Sequence, residues 1–270
     1  MSDPHRVVAR RPIQIGQPEH REMMHYESGA AEESARAIPG EHVEPWLNVL
    51  EACEPTSPAA ITFALSHPRI RPLIRGRIID LGAGTCWTAA ALSRIDSIDE
   101  VAALDLSERF LTEVGDRVLR HFAADLEKVR FAVGSFNDVP FPSGSFDCAF
   151  LVAAIHHSLS PIKTLLEAKR VLKDDGTLVL VETPAALVHV RRERERALEL
   201  SRSRAATEIC YTKGELHYLL RHAGFDAIAY YPVDALTRGL IRRGLRLCLR
   251  GFGIEGLVRP PTYVIVARRS

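Results

Sequence analysis

Two carboxylates and two glycines are the residues best placed to do chemistry in this chain. The segment Ile78-Ile79-Asp80-Leu81-Gly82-Ala83-Gly84-Thr85 is an apolar run that ends in an acid and breaks into a glycine turn before a helix-like stretch. With no Cβ at Gly82 or Gly84, the backbone can turn sharply and lie flat against a nucleoside-type molecule at the end of a strand. Further on, Val101-Ala102-Ala103-Leu104-Asp105 reads as a second buried strand ending in a carboxylate, at the spacing suited to chelating a ribose diol. Each feature has a plainer alternative. The glycines also suit an ordinary strand-to-helix turn, and Asp105 also suits the start of a helix at Ser107.

The glycine pattern is shared by dinucleotide sites and sites for S-adenosylmethionine, and two residues separate them. A dinucleotide fingerprint wants a third glycine at position 87, where this chain has Trp87. Asp80 would repel a pyrophosphate but suits a ligand that carries an ammonium and a sulfonium. The sign of charge therefore favours S-adenosylmethionine. Trp87, at the head of the helix, reads as packing rather than ligand contact.

On these residues the chain resembles the class I S-adenosylmethionine-dependent methyltransferases, over residues 75–232 with a last strand near the C-terminus. In that family the first strand ends in an acid followed by Gly-x-Gly-x-Gly, matched here by Asp80, Gly82, Ala83 and Gly84. Cys86 stands in place of the third glycine. The resemblance makes Asp105 the ribose-binding acid and sets Leu106 against the adenine. In the segment from Val129 to Phe141 it puts Ser135 where an acid reads the adenine amino group, with Phe136 as the adenine neighbour. It implies an α/β fold, a doubly wound, seven-stranded, mostly parallel Rossmann-like sheet. Residues 1–72 would form an N-terminal arm and helical lid, with Met23, His25, Tyr26 and Trp46 as lid candidates and Tyr26 over the donor. Residues 73–270 would form the donor-binding domain, with helical insertions near 185–210 and 233–258.

The elements that must position these residues can be read from periodicity and caps. Pro58 to Leu65 opens an apolar helix, and Ser107 can cap a helix carrying Phe110, Leu111, Val114, Val118 and Phe122 on one side. Ser143 to Phe150 leads into a fourth strand. Ser160-Pro161 starts a helix that ends at Asp175-Gly176, and Gly176 to Glu182 is a fifth strand. Thr212 and Glu215 have the spacing of a capping box, leading to Ala223-Gly224 and a sixth strand from Phe225 to Tyr231. Tyr263 to Ala267 supplies the seventh, with the last two strands able to pair antiparallel. Arg238, Arg242, Arg246 and Arg250 recur every fourth residue, as a ridge for an anionic or lipid-linked acceptor or a peripheral membrane contact, or as a solvated helix face.

In an open doubly wound sheet ligands collect where strand order reverses, here between strands one and four. Strand four runs into Ala153-Ala154-Ile155-His156-His157-Ser158, so His156 or His157 is the candidate general base for methyl transfer. The alternative is a loop and helix-start element without chemistry. Glu182, Tyr211, His25 and Tyr26 are the other polar side chains expected at the acceptor pocket, and the chemistry requires no metal.

Composition narrows the partners. A formal charge of +1 over 270 residues gives no pull towards nucleic acid. Ala153 to His156 also lacks the Asn or Asp with prolines and an aromatic expected of base methylation. Five scattered cysteines suggest neither zinc nor disulfides, and a cytoplasmic location fits. No apolar run is long enough to span a bilayer, and the start has no signal-peptide core. The acceptor is expected to be a small molecule methylated on oxygen, nitrogen or carbon. A non-catalytic donor-binding scaffold and a nicotinamide-dependent oxidoreductase are the rival functions.

Overall fold

The computed structural model describes residues 56–187, 189–204, 209–233 and 261–268. Seven strands form one sheet: β1 (Gly76–Leu81), β2 (Ile98–Asp105), β3 (Val129–Val133), β4 (Phe146–Val152), β5 (Leu172–Glu182), β6 (Ala227–Val233) and β7 (Thr262–Arg268). Their order is β3-β2-β1-β4-β5-β7-β6. The first five pair in parallel, and β7 runs antiparallel between β5 and β6. This is the doubly wound seven-stranded sheet that the resemblance implies.

The helices are α1 (Thr56–Ser66), α2 (Trp87–Ser93), α3 (Asp116–His121), α4 (Pro161–Val171), α5 (Val190–Arg204) and α6 (Lys213–His222). A π-helical turn, Phe110–Gly115, runs directly into α3. Helices cover both faces, so the central strands are near-continuous runs of buried apolar residues, as parallel sheets require. Alternate side chains divide between two cores. Ile79, Leu81, Ala149, Leu151 and Leu180 pack with Leu165 of α4 and Leu216 and Leu220 of α6. On the other face Ile78, Val101, Ala103, Phe150 and Val179 pack with Ile61 of α1 and Leu92 of α2.

The local signals hold where the bonding partners are near in sequence. Thr212 Oγ1 accepts from Glu215 N–H at 3.2 Å, and Glu215 Oε2 accepts from Thr212 N–H at 2.8 Å, completing the capping box. Ser107 Oγ accepts from Phe110 N–H at 3.2 Å. Three expectations shift. The helix expected to run to Asp175-Gly176 stops at Val171, because Leu172 already pairs with Phe146 at the base of β4. At the other end of α4, Ser160 stands at the N-cap and Pro161 follows, but the Ser160 side chain makes no cap bond. Strand six begins at Ala227, not Phe225: Gly224 turns the chain at φ 82, and Phe225 is drawn into the core. The helix expected between 185 and 210 is α5; the insertion near 233–258 and its arginines lie outside the described residues.

Candidate active site

The order reverses between β1 and β4, where β2 lies to one side and β5 to the other, and Asp80, Gly82, Ala83, Gly84, Asp105, His156 and Glu182 lie at or just beyond the carboxyl ends of these four strands. On the β1 side, Gly82 and Ala83 both donate their backbone N–H groups to Leu104 O, at 2.9 Å each. Gly84 N–H donates to Asp105 Oδ2 at 2.8 Å, while Asp105 Oδ1 accepts from Ser107 N–H at 2.9 Å. Asp105 is thus both the acid at the turn and the acid at a helix start, so its two readings are not exclusive. These two bonds engage both oxygens of the carboxylate. Leu106 follows, half-buried.

The glycines are required for different reasons. Gly82 sits at φ 76, and a Cβ there would come within 2.9 Å of Ala154 Cβ, so it allows the ends of β1 and β4 to close together. Gly84, at φ 50, has nothing within 4 Å of an added Cβ among the described residues, so its bare backbone is uncovered by them. This is the surface expected of a cradle for a flat ligand. Cys86, in place of the third glycine, adopts the left-handed conformation at φ 62, and its side chain is fully buried. Trp87, like Phe110 and Phe122, packs against Val114 and Val118, the structural role expected of it.

Asp80 is 1 % exposed, and its Oδ2 has no hydrogen-bond partner among the described residues. Burial, and secondarily the negative charge of Asp105, push its pKa up to about 7. An orphaned buried carboxylate is costly unless something cationic meets it. Together with the cradle at Gly84, it makes this pocket fit a ligand bearing an ammonium and an adenosyl group.

On the β4 side the strand ends at Ala153, held at φ 49, and a 3-10 turn, Ile155–His157, follows. Backbone strain of this kind persists where surrounding structure fixes it. His156 Nδ1 and Glu182 Oε2 are 2.9 Å apart, and Glu182 Oε1 accepts from Thr183 N–H at 3.0 Å. With Glu182 as acceptor the proton lies on Nδ1, and Nε2 is left with a lone pair. His157 lies beside His156, with ring centroids 4.2 Å apart, but is exposed. The structure therefore separates two histidines that the sequence leaves equivalent.

Two arrangements were not foreseen. The first is the pairing of Glu182 with His156, set by the register of β4 on β5: Val152 faces Val181, which puts the next residue of β5 beside the turn. The second is a buried cluster beneath the histidines. Thr164 Oγ1 donates to Asn137 Oδ1 at 2.7 Å, Ser158 Oγ donates to the same oxygen at 3.3 Å, and the two hydroxyls lie 2.8 Å apart. Asn137 N–H in turn donates to Ser135 Oγ at 3.0 Å. The loop after β3 and the histidine turn are thereby one unit.

The remaining candidates fall as follows. Ser135 is 1 % exposed and its hydroxyl closes the turn to Asn137. Phe136 is 9 % exposed, with its ring 3.5 Å from where a Cβ on Gly82 would stand. Tyr211 is partly buried; its backbone carbonyl accepts from Ala185 N–H, and its hydroxyl has no hydrogen-bond partner among the described residues. Burial, then the charges of Glu182 and Glu215, push its pKa up to about 12. Tyr26, His25, Met23 and Trp46 lie outside the described residues. Among the described residues no helix is long and apolar enough to cross a membrane.

Residues 79–180, the stretch that holds the glycine turn and both strand-end acids, match the methyltransferase-domain family, and in its sheet order the chain is similar to the class I S-adenosylmethionine-dependent methyltransferases. It is 38% identical over 113 residues to a demethylmenaquinone methyltransferase of Clavibacter sepedonicus, covering 42% of this chain and 43% of that one. It is 27% identical over 174 residues to 27-O-demethylrifamycin SV methyltransferase of Amycolatopsis mediterranei, covering 62% and 60%. The matched regions thus span between about two fifths and three fifths of these relatives' lengths. Among solved structures, a Burkholderia thailandensis 1,6-didemethyltoxoflavin-N1-methyltransferase with bound S-adenosylhomocysteine shares the fold. Its TM-score is 0.57 at 18% identity, covering 91% of this chain and 90% of that one.

Proposed function

We propose that this protein transfers a methyl group from S-adenosylmethionine to an oxygen, nitrogen or carbon nucleophile of a small-molecule acceptor. Asp80, Gly82, Ala83, Gly84, Asp105 and Leu106 hold the donor, with Ser135 and Phe136 on its adenine side. Bound there, the donor supplies an electrophilic methyl on a sulfonium. Asp80 meets its ammonium, and Asp105 accepts from its ribose hydroxyls.

The observation that carries the reading is the 2.9 Å pairing of His156 Nδ1 with Glu182 at the carboxyl ends of β4 and β5, beside the donor turn. His156 is the general base: Nε2 takes the proton of an acceptor O–H or N–H as the nucleophile bonds to the methyl carbon, the carbon–sulfur bond breaks and the sulfur leaves as a neutral thioether. Glu182 holds the ring and stabilises the imidazolium that results. Alignment of acceptor and methyl in a pocket poor in water contributes the larger share of the acceleration. His157 is assigned the secondary place. Residues 73–270 are the donor-binding domain, and residues 1–72 contribute the lid, Tyr26 included.

The test is incubation of purified protein with methyl-labelled donor and a metabolite extract, alongside His156→Ala. Label transferred by the wild type and lost from the variant is the expected result. Donor binding without transfer to any acceptor would instead favour a non-catalytic scaffold.

A further inference from the structure

Cys86 occupies a position whose backbone suits glycine, and its fully buried side chain has to be housed. It is housed against Gly115. A Cβ on Gly115 would stand 2.8 Å from Cys86 Sγ, 3.3 Å from Cys86 Cβ and 2.9 Å from Phe110 O. No real Cβ is accommodated at the first distance without movement, and the last distance is to backbone.

Gly115 closes the π-helical turn Phe110–Gly115. Such a turn inserts a residue into a helix and rotates the face presented to its neighbours. Here the rotated face puts a residue with no side chain opposite the thiol. The two segments are joined a second time by Asp105, which accepts from Gly84 N–H on the donor turn and from Ser107 N–H on the other segment. Ser107 caps Phe110, the first residue of the π turn, and Cys86 Sγ lies 3.7 Å from Gly84 O. Gly84, Asp105, Ser107, Phe110, Gly115 and Cys86 therefore close a ring of contacts around the cradle.

We propose that Cys86 and Gly115 are an exchanged pair: the small residue absent from the donor turn at Cys86 is supplied across the interface by Gly115, which thereby positions the Gly84 peptide for the donor. Gly115 is a positioning residue, acting through Cys86 and the turn. The inference rests on the reading of that turn as the donor cradle. A side chain at 115 pushes on the thiol, the thiol pushes on a peptide already in the left-handed region, and the ring opens at Gly84 and Asp105.

The experiment is a double-mutant cycle on the full chain: wild type, Gly115→Ala, Cys86→Gly and the double variant. Each is measured by calorimetry with S-adenosylhomocysteine at 25 °C and by thermal unfolding. Gly115→Ala is expected to lose affinity on the order of tenfold at a temperature where it remains folded, a loss that packing alone would register only in the melting temperature. The double variant is expected to bind within about twofold of Cys86→Gly, because removal of the thiol makes room for the methyl. Wild-type affinity in Gly115→Ala overturns the proposal, as does an equal loss from Gly115→Ala in the presence and absence of Cys86. Should Gly115→Ala fail to fold, a folded, ligand-binding double variant supports the exchange and an unfolded one overturns it. If the wild type takes up no S-adenosylhomocysteine, the donor reading and the positioning role fall together. The melting temperatures still decide the exchange, which additive shifts would remove.

Discussion

The carboxyl ends of β1 and β4 are neighbours in the sheet, yet they are prepared for ligands in opposite ways. The β1 end is made of bare backbone and an acid with an orphaned oxygen: among the described residues nothing covers Gly84, and Asp80 Oδ2 has no partner. The β4 end is made of paired side chains: His156 is held by Glu182, and the turn beneath it by Asn137, Ser158 and Thr164. A donor common to a whole family can be recognised by a surface that any such donor completes. A base must instead be aimed before the reaction begins, so its partners are supplied by the protein.

The contrast can be broken most sharply at the base. His156→Ala should reduce methyl transfer by about 10²- to 10⁴-fold while donor binding changes little. Turnover with labelled donor against calorimetry with S-adenosylhomocysteine checks this. A parallel loss of donor affinity would mean that the two ends are not separate devices. Glu182→Gln keeps the shape of the pair but removes its charge, and should recover part of the activity that Glu182→Ala loses.

At the β1 end the orphaned acid gives a pH signature. The Asp80 pKa is raised from 3.8 to about 7 in the folded chain, so between those values the folded state binds more protons than the unfolded state. Stability of the ligand-free protein should therefore fall, by up to a few kcal/mol, as pH rises from about 4 to about 7. A cationic donor meets the ionised form, so the rise in melting temperature on adding donor should be larger at pH 8 than at pH 6. Asp80→Asn should flatten both dependences, and thermal unfolding across that range reads them.

A smaller effect is expected at Asp105, whose replacement by alanine should cost about 1 to 3 kcal/mol of donor binding through lost charge-assisted hydrogen bonds. Because the same carboxylate holds Gly84 and Ser107, the melting temperature should fall as well. Unchanged affinity would remove Asp105 from the site. Smallest of all is His157→Ala. An exposed ring should cost no more than about 0.5 kcal/mol in stability, and turnover should stay within severalfold of wild type. An effect as large as that of His156→Ala would reverse the assignment of the base.

How much of this was legible in the sequence follows from the range of the forces involved. The Asp80 turn, the Ser107 cap and the Thr212–Glu215 capping box each join residues within a few positions, so type and spacing identify them. Asp105 could be foreseen because a parallel β1-α-β2 unit brings its strand ends together over a narrow range of lengths. By contrast, the end of α4 was misjudged, since Val171 and Leu172 have the same polarity and only the pairing of Leu172 with Phe146 stops the helix.

The sequence by itself determined the order of strands and helices, the glycine turn and the pair of acids that flank it, because local backbone preference and hydrophobic period settle those. Only the tertiary structure set His156 against Glu182. Which imidazole meets a carboxylate 26 residues away depends on strand register and on the strained exit at Ala153. It also decided that Cys86 turns its thiol towards Gly115, since a side chain with two possible sides goes where a neighbouring element leaves volume.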